Sequence, residues 1–154
     1  MLTMFVYGTL KRGERNHERF CSGASRVDEG TVRGELYDLP LFGFPELVVP
    51  EKSVRAFGTD DAARDAGLQE RLARVRPLTL EGPKVFGEIF FFDEAGSHLP
   101  AIDRLEGIDP ADASSRYRRV LLPVEPEEGG ALLAWAYVVR EPSGTYLPAG
   151  RWPP

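Results

Sequence analysis

Short apolar runs that end at glycine or at polar turns recur along the chain, and this pattern predicts strands. A strand of a packed sheet is typically about four to eight residues long, and its apolar positions alternate or run continuously. Five segments fit this pattern, and a Pro- and Gly-rich loop at 40–50 leads into a shorter sixth one. The six predicted strands are residues 3–7, 30–38, 47–49, 85–92, 117–124 and 131–139. Gly129 and Gly130 predict a hairpin turn between the last two strands.

One stretch in the middle of the chain has helical rather than strand spacing. Leu68, Leu72 and Val75 recur at i, i+4 and i+7, with charged residues between them. Asp60 or Asp61 is suited to cap the first turn, because its carboxylate can accept free backbone N–H groups. The spacing therefore predicts a helix from about residue 60 to Val75.

A second, shorter helix is predicted over residues 97–106. Ser97 is a candidate N-terminal cap, and Gly107 suits the position after the last turn. Three apolar residues at i, i+3 and i+6 form the stripe that we expect to pack, namely Leu99, Ile102 and Leu105.

These elements together predict an α+β, β-dominated fold in a single domain over residues 1–154. We expect about six strands and one or two short helices. A closed barrel is favoured over an open sheet, because closure removes exposed strand edges. The apolar residues expected to share one core are Phe5, Leu36, Phe90, Ile102, Leu105 and Val138.

The charge and residue counts narrow the classes of partner. The net charge is −5 and the isoelectric point is about 5.1, which argues against a nucleic acid or an anionic membrane as a partner. No apolar run approaches the roughly 20 residues of a membrane-spanning helix. Cys21 is the sole cysteine and there are two histidines, so we expect no disulfide, no metal and no cofactor. We expect a cytoplasmic protein.

The exit of the first strand is one candidate for chemistry. Tyr7, Gly8, Thr9 and Leu10 leave an apolar strand through a glycine turn. Backbone N–H groups in such a turn can hold a carboxylate or an oxyanion. On these residues alone, the alternative that the segment is an ordinary strand-to-loop turn is favoured.

Glu106 is the second candidate, because it follows Leu105 at the edge of the apolar helical stripe. A carboxylate there loses hydration, and its pKa rises toward that of a group that shuttles protons. The alternative is a solvated surface acid, with Asp103 paired to Arg104 or Arg119. Considered alone, that alternative is favoured.

The remaining reactive residue types give weaker signals. His17 and His98 fall in predicted loop or helix-start positions, so we expect both at the surface. Cys21 has no partner arrangement that would activate it, and we expect a buried thiol.

The order of motifs along the chain resembles the γ-glutamylcyclotransferase-like family, in particular its γ-glutamylamine cyclotransferase branch. Five blocks carry the resemblance, and from the first to the last they span residue 5 to about residue 139. The blocks are VYGTLKRG at 6–13, GELYD at 34–38 with GFP at 43–45, VFGEIF at 85–90, IDRLEG at 102–107 with YRR at 117–119, and AWAYV at 134–138. The opening block and the Leu-Glu-Gly block, found together in this order, are specific for the family. Their joint presence favours a functional loop at residues 7–10 over an ordinary turn, and a catalytic Glu106 over a solvated surface acid.

The resemblance implies a small mixed β-barrel with a cavity at one end. It implies that Tyr7, Gly8, Thr9 and Leu10 bind the glutamyl part of a small-molecule substrate and that Glu106 is the catalytic acid/base. Tyr117 and Tyr137 match aromatic positions that line the family's cavity. The implied reaction is intramolecular aminolysis of a γ-glutamyl amine or γ-glutamyl amino acid, which releases 5-oxoproline without a metal or cofactor. The oligomeric state is left open.

The chain also departs from the family pattern. Residues 51–83 are an atypical insertion, which we expect to be peripheral to the barrel. In the tail, Ala149 and Arg151 replace the usual polar and acidic residues. Two other functions therefore stay open, namely removal of a γ-glutamyl protecting group in a biosynthetic pathway and a non-enzymatic binding barrel.

Overall fold

A computed structural model describes residues 1–73, 81–107 and 115–154. Within these ranges the chain forms nine strands, three α-helices and one 3-10 turn at Glu51–Ser53. The strands are β1 (Leu2–Val6), β2 (Arg26–Arg33), β3 (Glu35–Leu39), β4 (Phe44–Val48), β5 (Ala56–Phe57), β6 (Lys84–Phe92), β7 (Tyr117–Pro126), β8 (Leu132–Val139) and β9 (Thr145–Tyr146). The helices are α1 (His17–Phe20), α2 (Ala62–Leu72) and α3 (Ala95–Leu105).

Five strands close into a barrel. Their order is β2-β6-β1-β8-β7, and pairing of β2 with β7 at Thr31 and Glu125 completes the circle. β1 and β8 run parallel and the other neighbours run antiparallel, so the barrel is mixed. The predicted β-dominated barrel is confirmed. It closes with five strands rather than six, since β5 is added at the edge of β7 and three strands form a separate sheet, β4-β3-β9.

The second predicted strand is divided between the two sheets. Residues 30–38 are not continuous, because β2 ends at Arg33 in the barrel and β3 begins at Glu35 in the small sheet. Gly34 lies between them, and a Cβ there would stand 2.5 Å from the carbonyl oxygen of Val48. The close approach of β4 to this corner explains why the chain has a glycine at the turn.

The expected single core is instead two clusters on opposite faces of the same strands. Neighbouring residues of a strand point to opposite faces, so Phe5 packs in one cluster, with Leu36 and Val138, and Phe90 and Ile102 lie in the other. The first cluster draws on all five barrel strands, and we identify it as the barrel interior. The second lies between the outer barrel face and the helices. The assignment of Leu105 to the core is wrong, since this residue is 38% exposed.

α2 packs against the outer cluster, on the outside of the barrel wall, and the expectation that residues 51–83 are peripheral to the barrel stays a prediction. Asp61 caps the helix by accepting the Arg64 N–H at 3.0 Å. Gln69 is buried and forms two hydrogen bonds with Thr3 of β1, accepting from its N–H at 2.9 Å and donating to its hydroxyl at 3.0 Å. The expected helix end near Val75 lies outside the described residues. α2 therefore braces the barrel wall.

α3 begins before the position that the sequence indicated. Its first residue is Ala95, and Glu94 stands at the N-cap, so Ser97 is inside the helix instead of capping it. The C-terminal end agrees with the prediction: Gly107 has a φ of +72° and its N–H donates to the Arg104 carbonyl at 3.2 Å. This end fixes the place of Glu106, the C-cap residue.

Candidate active site

A cavity of about 250 Å³ lies where β1 ends, beside the last residues of β8, the first residue of β7 and the C-terminal end of α3. Because β1 and β8 are parallel, their carboxyl ends meet at the same edge of the barrel. All seven residues proposed from the sequence line this cavity, namely Tyr7, Gly8, Thr9, Leu10, Glu106, Tyr117 and Tyr137. The structure thus brings together residues up to 130 positions apart.

The loop after β1 is held in a fixed shape. Its turn is closed by the Lys11 N–H, which donates to the Gly8 carbonyl at 3.1 Å. Asn16 clamps the next residue twice, donating from its N–H to the Thr9 carbonyl at 3.0 Å and from its side chain to the Thr9 hydroxyl at 2.9 Å. A Cβ on Gly8 would lie 2.8 Å from Cδ of Pro45, so only glycine lets this loop pack against β4.

The same loop has backbone N–H groups that are candidate donors to a ligand in the cavity. Among the hydrogen bonds of the described residues, none is donated by the backbone N–H of Thr9 or Leu10. Neighbouring N–H groups that no protein acceptor occupies can stabilise a negative oxygen. The loop is therefore suited to hold an anionic group of a ligand.

Glu106 enters the cavity from the end of α3. Its N–H donates to the Ile102 carbonyl at 3.0 Å, which fixes the backbone, and its side chain is partly buried. Burial raises the pKa of Glu106 from 4.5 to about 7, and the negative charge of Asp103 adds to the rise. A carboxyl group with this pKa can both take up and release a proton near neutral pH.

Asp103 has a different role, because it is turned into an ion-pair network. Arg119 of β7 donates to both of its carboxylate oxygens, at 2.8 and 3.0 Å. The same guanidinium donates to Asp65 of α2 at 2.8 Å and to the Thr59 carbonyl at 2.7 Å. All three charged residues are buried. Of the two partners that the sequence left open for Asp103, the structure selects Arg119.

The three cavity tyrosines use their hydroxyl groups to hold the wall together. Tyr7 donates to the Tyr137 carbonyl at 2.6 Å, Tyr137 donates to Asp103 at 2.6 Å, and Tyr117 donates to the Pro45 carbonyl at 2.9 Å. Burial is the main cause that raises the pKa of all three phenols. Their hydroxyl groups therefore stay protonated, and Glu106 is the group in this cavity suited to move a proton near pH 7.

Sequence reasoning missed several residues of the site. Arg15, Asn16, Phe44 and Pro45 also line the cavity. Phe44 and Pro45 belong to a motif block, which is a usable signal.

The other reactive residue types are packed rather than catalytic. His17 and His98 are partly buried, which corrects the surface expectation: His17 lies 3.0 Å from the Leu10 carbonyl and His98 stacks on Phe92 at 4.4 Å. Cys21 is buried as predicted, and burial raises its pKa to about 12, so its thiol is unreactive.

The described residues form neither a metal-binding cluster nor a membrane-spanning helix. Across residues 1–73, 81–107 and 115–154, no three His, Cys, Asp or Glu side chains are grouped so that they could hold a metal ion. In the same ranges, no helix has the length and apolar character needed to cross a membrane.

Comparison with known proteins gives a consistent result. A sequence model of the family described as gamma-glutamyl cyclotransferase, AIG2-like, matches residues 4–70 and 61–154. The chain is 27% identical over 139 residues to the gamma-L-glutamyl-butirosin B gamma-glutamyl cyclotransferase of Niallia circulans, a match that covers 90% of this chain and 67% of that relative. The resemblance inferred from the motif order is confirmed.

Solved structures share the fold. An AIG2-like protein of Mus musculus has a TM-score of 0.60 at 24% identity, covering 96% of this chain and 86% of that one. An uncharacterised protein of Pyrococcus horikoshii has a TM-score of 0.54 at 19% identity, with coverages of 99% and 90%. YkqA of Bacillus subtilis has a TM-score of 0.59 at 21% identity, and the chain spans 39% of its length.

Proposed function

The chain belongs to the gamma-glutamyl cyclotransferase, AIG2-like family of enzymes, and we propose that it closes the γ-glutamyl part of a small amide into 5-oxoproline. The observation that carries this proposal is Glu106, a partly buried carboxyl group with a pKa of about 7. It lines the same cavity as Thr9 and Leu10, whose backbone N–H groups donate no hydrogen bond within the part of the chain that the structure describes. A proton carrier and an anion-stabilising loop are the two parts that this reaction needs.

In the proposed reaction, the α-amine of the substrate attacks its own γ-carbonyl carbon. Glu106 first takes one proton from the α-ammonium group, which frees the nitrogen lone pair. The new C–N bond closes the five-membered ring, and the old amide C–N bond then breaks as Glu106 returns the proton to the departing nitrogen. Glu106, again a carboxylate, then takes a second proton from the ring nitrogen and passes it to the released amine, which leaves as an ammonium ion while one hydrogen stays on the lactam. No other reactant is consumed.

The remaining site residues support this chemistry by placement. The N–H groups of Thr9 and Leu10 would stabilise the oxyanion of the tetrahedral intermediate. The rings of Tyr7, Tyr117 and Tyr137 would hold the glutamyl chain folded, with its amine next to its carbonyl carbon. Because both reacting groups are then already in place, the reaction avoids much of the entropic cost of a bimolecular encounter. We propose no metal or cofactor for any step.

The size of the cavity favours the glutamyl part as its occupant. Its volume of about 250 Å³ is below the ~300–1,000 Å³ typical of sites for drug-sized ligands. A variable leaving group would therefore extend toward solvent. This geometry also accommodates removal of a γ-glutamyl group from a larger molecule, and the name of the Niallia circulans relative favours that as the second candidate.

The test is a panel of γ-glutamyl amides and γ-glutamyl amino acids assayed for release of 5-oxoproline. Glu106→Gln removes the titratable proton and keeps the size of the side chain, so we expect kcat to fall by at least about 10²-fold while a γ-glutamyl ligand still binds. Asp103→Asn, assayed as folded protein, should lower kcat less than Glu106→Gln does. Asp103 bonds to Arg119 and Tyr137 and so positions the wall of the site instead of transferring a proton.

Two results would contradict the proposal. Normal turnover by Glu106→Gln together with loss of turnover by Asp103→Asn would mean that the wrong carboxylate is assigned. Binding of γ-glutamyl ligands by the unmodified protein without any release of 5-oxoproline would favour a non-enzymatic binding barrel.

A further inference from the structure

A pair of large apolar side chains stands exposed beside the cavity. Leu41 is 95% exposed and Phe42 is 63% exposed, and both lie in the turn between β3 and β4. The turn is fixed, since the N–H groups of Phe42 and Gly43 both donate to the Leu39 carbonyl at 2.9 Å and Gly43 has a φ of +71°. Single exposed apolar residues are ordinary, but an adjacent pair on a rigid turn next to a cavity marks a contact surface.

An aromatic path connects this turn with the cavity. The ring centroids of Phe42 and Phe44 are 5.8 Å apart, and those of Phe44 and Tyr117 are 6.3 Å apart with the rings edge to face. Phe44 and Tyr117 line the cavity. Ring contacts therefore link the exposed Phe42 with the wall of the cavity.

Arg15 supplies a positive charge on the same rim. It is exposed, it lines the cavity, and its guanidinium lies against the turn, where a Cβ on Gly43 would stand 2.7 Å from its Nη1. Of the described residues that line the cavity, Arg15 and Glu106 alone carry charged side chains. Glu106 is the partly buried one, so the cavity has its proton carrier inside and its cation at the rim.

We propose that Leu41, Phe42, Phe44 and Arg15 form a subsite for the leaving group, which selects γ-glutamyl derivatives of apolar and aromatic α-amino acids. The carboxylate of the departing amino acid binds the Arg15 guanidinium, and its side chain packs on Phe42 and Phe44. This inference rests on the proposed function, and it names the substrate class of the same site.

The position of Arg15 favours the leaving group over the glutamyl carboxylate as its ligand. A group that touches both Arg15 and the Leu41–Phe42 turn lies outside the cavity, whereas the glutamyl α-amine must reach Glu106 inside it. Charge-assisted hydrogen bonds from arginine to a carboxylate are among the stronger polar contacts, and an aromatic side chain gains further from ring packing. The two contacts are separable, because different parts of the leaving group make them.

Three substrates separate these contacts, with kcat/KM measured by release of 5-oxoproline. γ-L-Glutamyl-L-phenylalanine has both the ring and the carboxylate, γ-L-glutamyl-2-phenylethylamide lacks the carboxylate, and γ-L-glutamyl-L-alanine lacks the ring. We expect the unmodified protein to prefer the first over each of the others by about 10-fold. Arg15→Gln should remove the preference for the phenylalanine substrate over the phenylethylamide and leave its preference over the alanine compound unchanged. Phe42→Ser should reduce the preference for the phenylalanine substrate over the alanine compound and leave its preference over the phenylethylamide unchanged.

Matched controls are present in the chain. Arg19 is an exposed arginine of α1, and Phe57 is 55% exposed, close to the value for Phe42. Neither residue lines the cavity. Arg19→Gln and Phe57→Ser should leave both ratios unchanged. All four substitutions are at exposed positions, and a thermal midpoint for each variant verifies that it is folded.

A binding measurement keeps this inference separate from the proposed function. Glutaryl-L-phenylalanine lacks the α-amine and cannot cyclise, so its Kd by calorimetry reports binding without turnover. Glutaryl-2-phenylethylamide keeps the glutaryl carboxylate but lacks that of the leaving group, and its Kd should be unchanged in Arg15→Gln. A rise of about 10-fold in Kd for Arg15→Gln, and a smaller rise for Phe42→Ser, supports the subsite even if no compound is turned over.

Several results would overturn the subsite. Equal losses for the phenylalanine and phenylethylamide substrates in Arg15→Gln would place the glutamyl carboxylate on Arg15. Unchanged ratios and unchanged Kd in both variants would remove any role in recognition. A dimer that Phe42→Ser dissociates while the ratios stay constant would mean that a second copy of the chain covers the turn.

Discussion

Replacing Glu106 with glutamine should stabilise the protein, and the size of this effect should depend on pH. Burial and the charge of Asp103 raise the pKa of Glu106 from 4.5 to about 7 in the folded state. Between these two values the folded protein keeps a proton that the unfolded chain releases. The unfolded state is therefore favoured progressively as the pH rises through this window. Glutamine has no proton to lose, so the variant lacks this penalty.

The magnitude follows from the two pKa values. They differ by about 2.5 pH units, and each unit corresponds to about 1.4 kcal/mol, so the carboxylate costs the folded state about 3 kcal/mol above pH 8. By the same relation, the cost is below about 1 kcal/mol at pH 5. Other titrating groups are common to both proteins and cancel when the two are compared.

The assay is urea unfolding of the unmodified protein and Glu106→Gln at several values between pH 5 and pH 8.5. We expect the variant to be the more stable one, by less than about 1 kcal/mol at pH 5 and by about 3 kcal/mol at pH 8.5. At the higher pH this corresponds to a rise in Tm of roughly 6–12 °C for a chain of this size. Glu141→Gln, at an exposed position, is the control and should show no such dependence.

A stability difference that does not change with pH would refute the reasoning. So would a difference that grows toward acid, because it would mean that the protein stabilises Glu106 as a carboxylate. Either result would also remove the basis for proton transfer by this residue near neutral pH.

Two glycine substitutions should have opposite effects on the free energy of unfolding in urea. Gly87→Ala in β6 should destabilise by about 1–3 kcal/mol, because its Cβ would stand 2.3 Å from a backbone oxygen of β1; wild-type stability would mean that the strands can separate here. Gly67→Ala in α2 should stabilise by about 0.5–1 kcal/mol, because the nearest atom is the mobile end of Arg71 at 3.7 Å. A destabilised Gly67→Ala would show that α2 has less space than this.

The parts of the fold that sequence predicted well are those set by local patterns. The apolar run at 85–92 is β6, which spans Lys84–Phe92, and Gly129 and Gly130 form the turn between β7 and β8 with positive φ. Asp61 caps α2 as its position indicated. In these segments the periodicity and the turn residues agree with the tertiary structure, so a local reading is sufficient.

The features of the fold that could not be predicted from the sequence depend on contacts between residues far apart in the chain. The division of residues 30–38 follows from the approach of β4 to Gly34, and no pattern within that strand contains this information. Arg119 and Asp65 are 54 positions apart, and the pairing that holds α2 against the barrel is invisible before the chain is folded. Arg15 was missed for the same reason, since its position on the rim depends on the turn at Gly43.

The ion-pair network of Arg119 leads to a last prediction, which concerns proton affinity. Arg119 uses Nε and Nη2 for Asp103 and Nη1 for Asp65, so its positive charge is shared between two carboxylates and is not directed at Glu106. Asp65→Asn removes one of those negative charges and changes the net charge of the three-residue network from −1 to zero. The pKa of Glu106 should then fall, and the acidic limb of the pH–rate profile should move to lower pH.

This variant should also lose about 2 kcal/mol or more of stability in urea, because a buried guanidinium loses one of its two ionic partners. Glu51→Gln is the matched control, since Glu51 pairs with Arg118 but is 69% exposed. It should leave the acidic limb of the pH–rate profile in place and change the free energy of unfolding by no more than about 1 kcal/mol. A stability loss without any movement of the limb would mean that Asp65 is a structural brace alone. Movement of the limb to higher pH would contradict the electrostatic argument, because a removed negative charge cannot make a neighbouring carboxyl group harder to ionise.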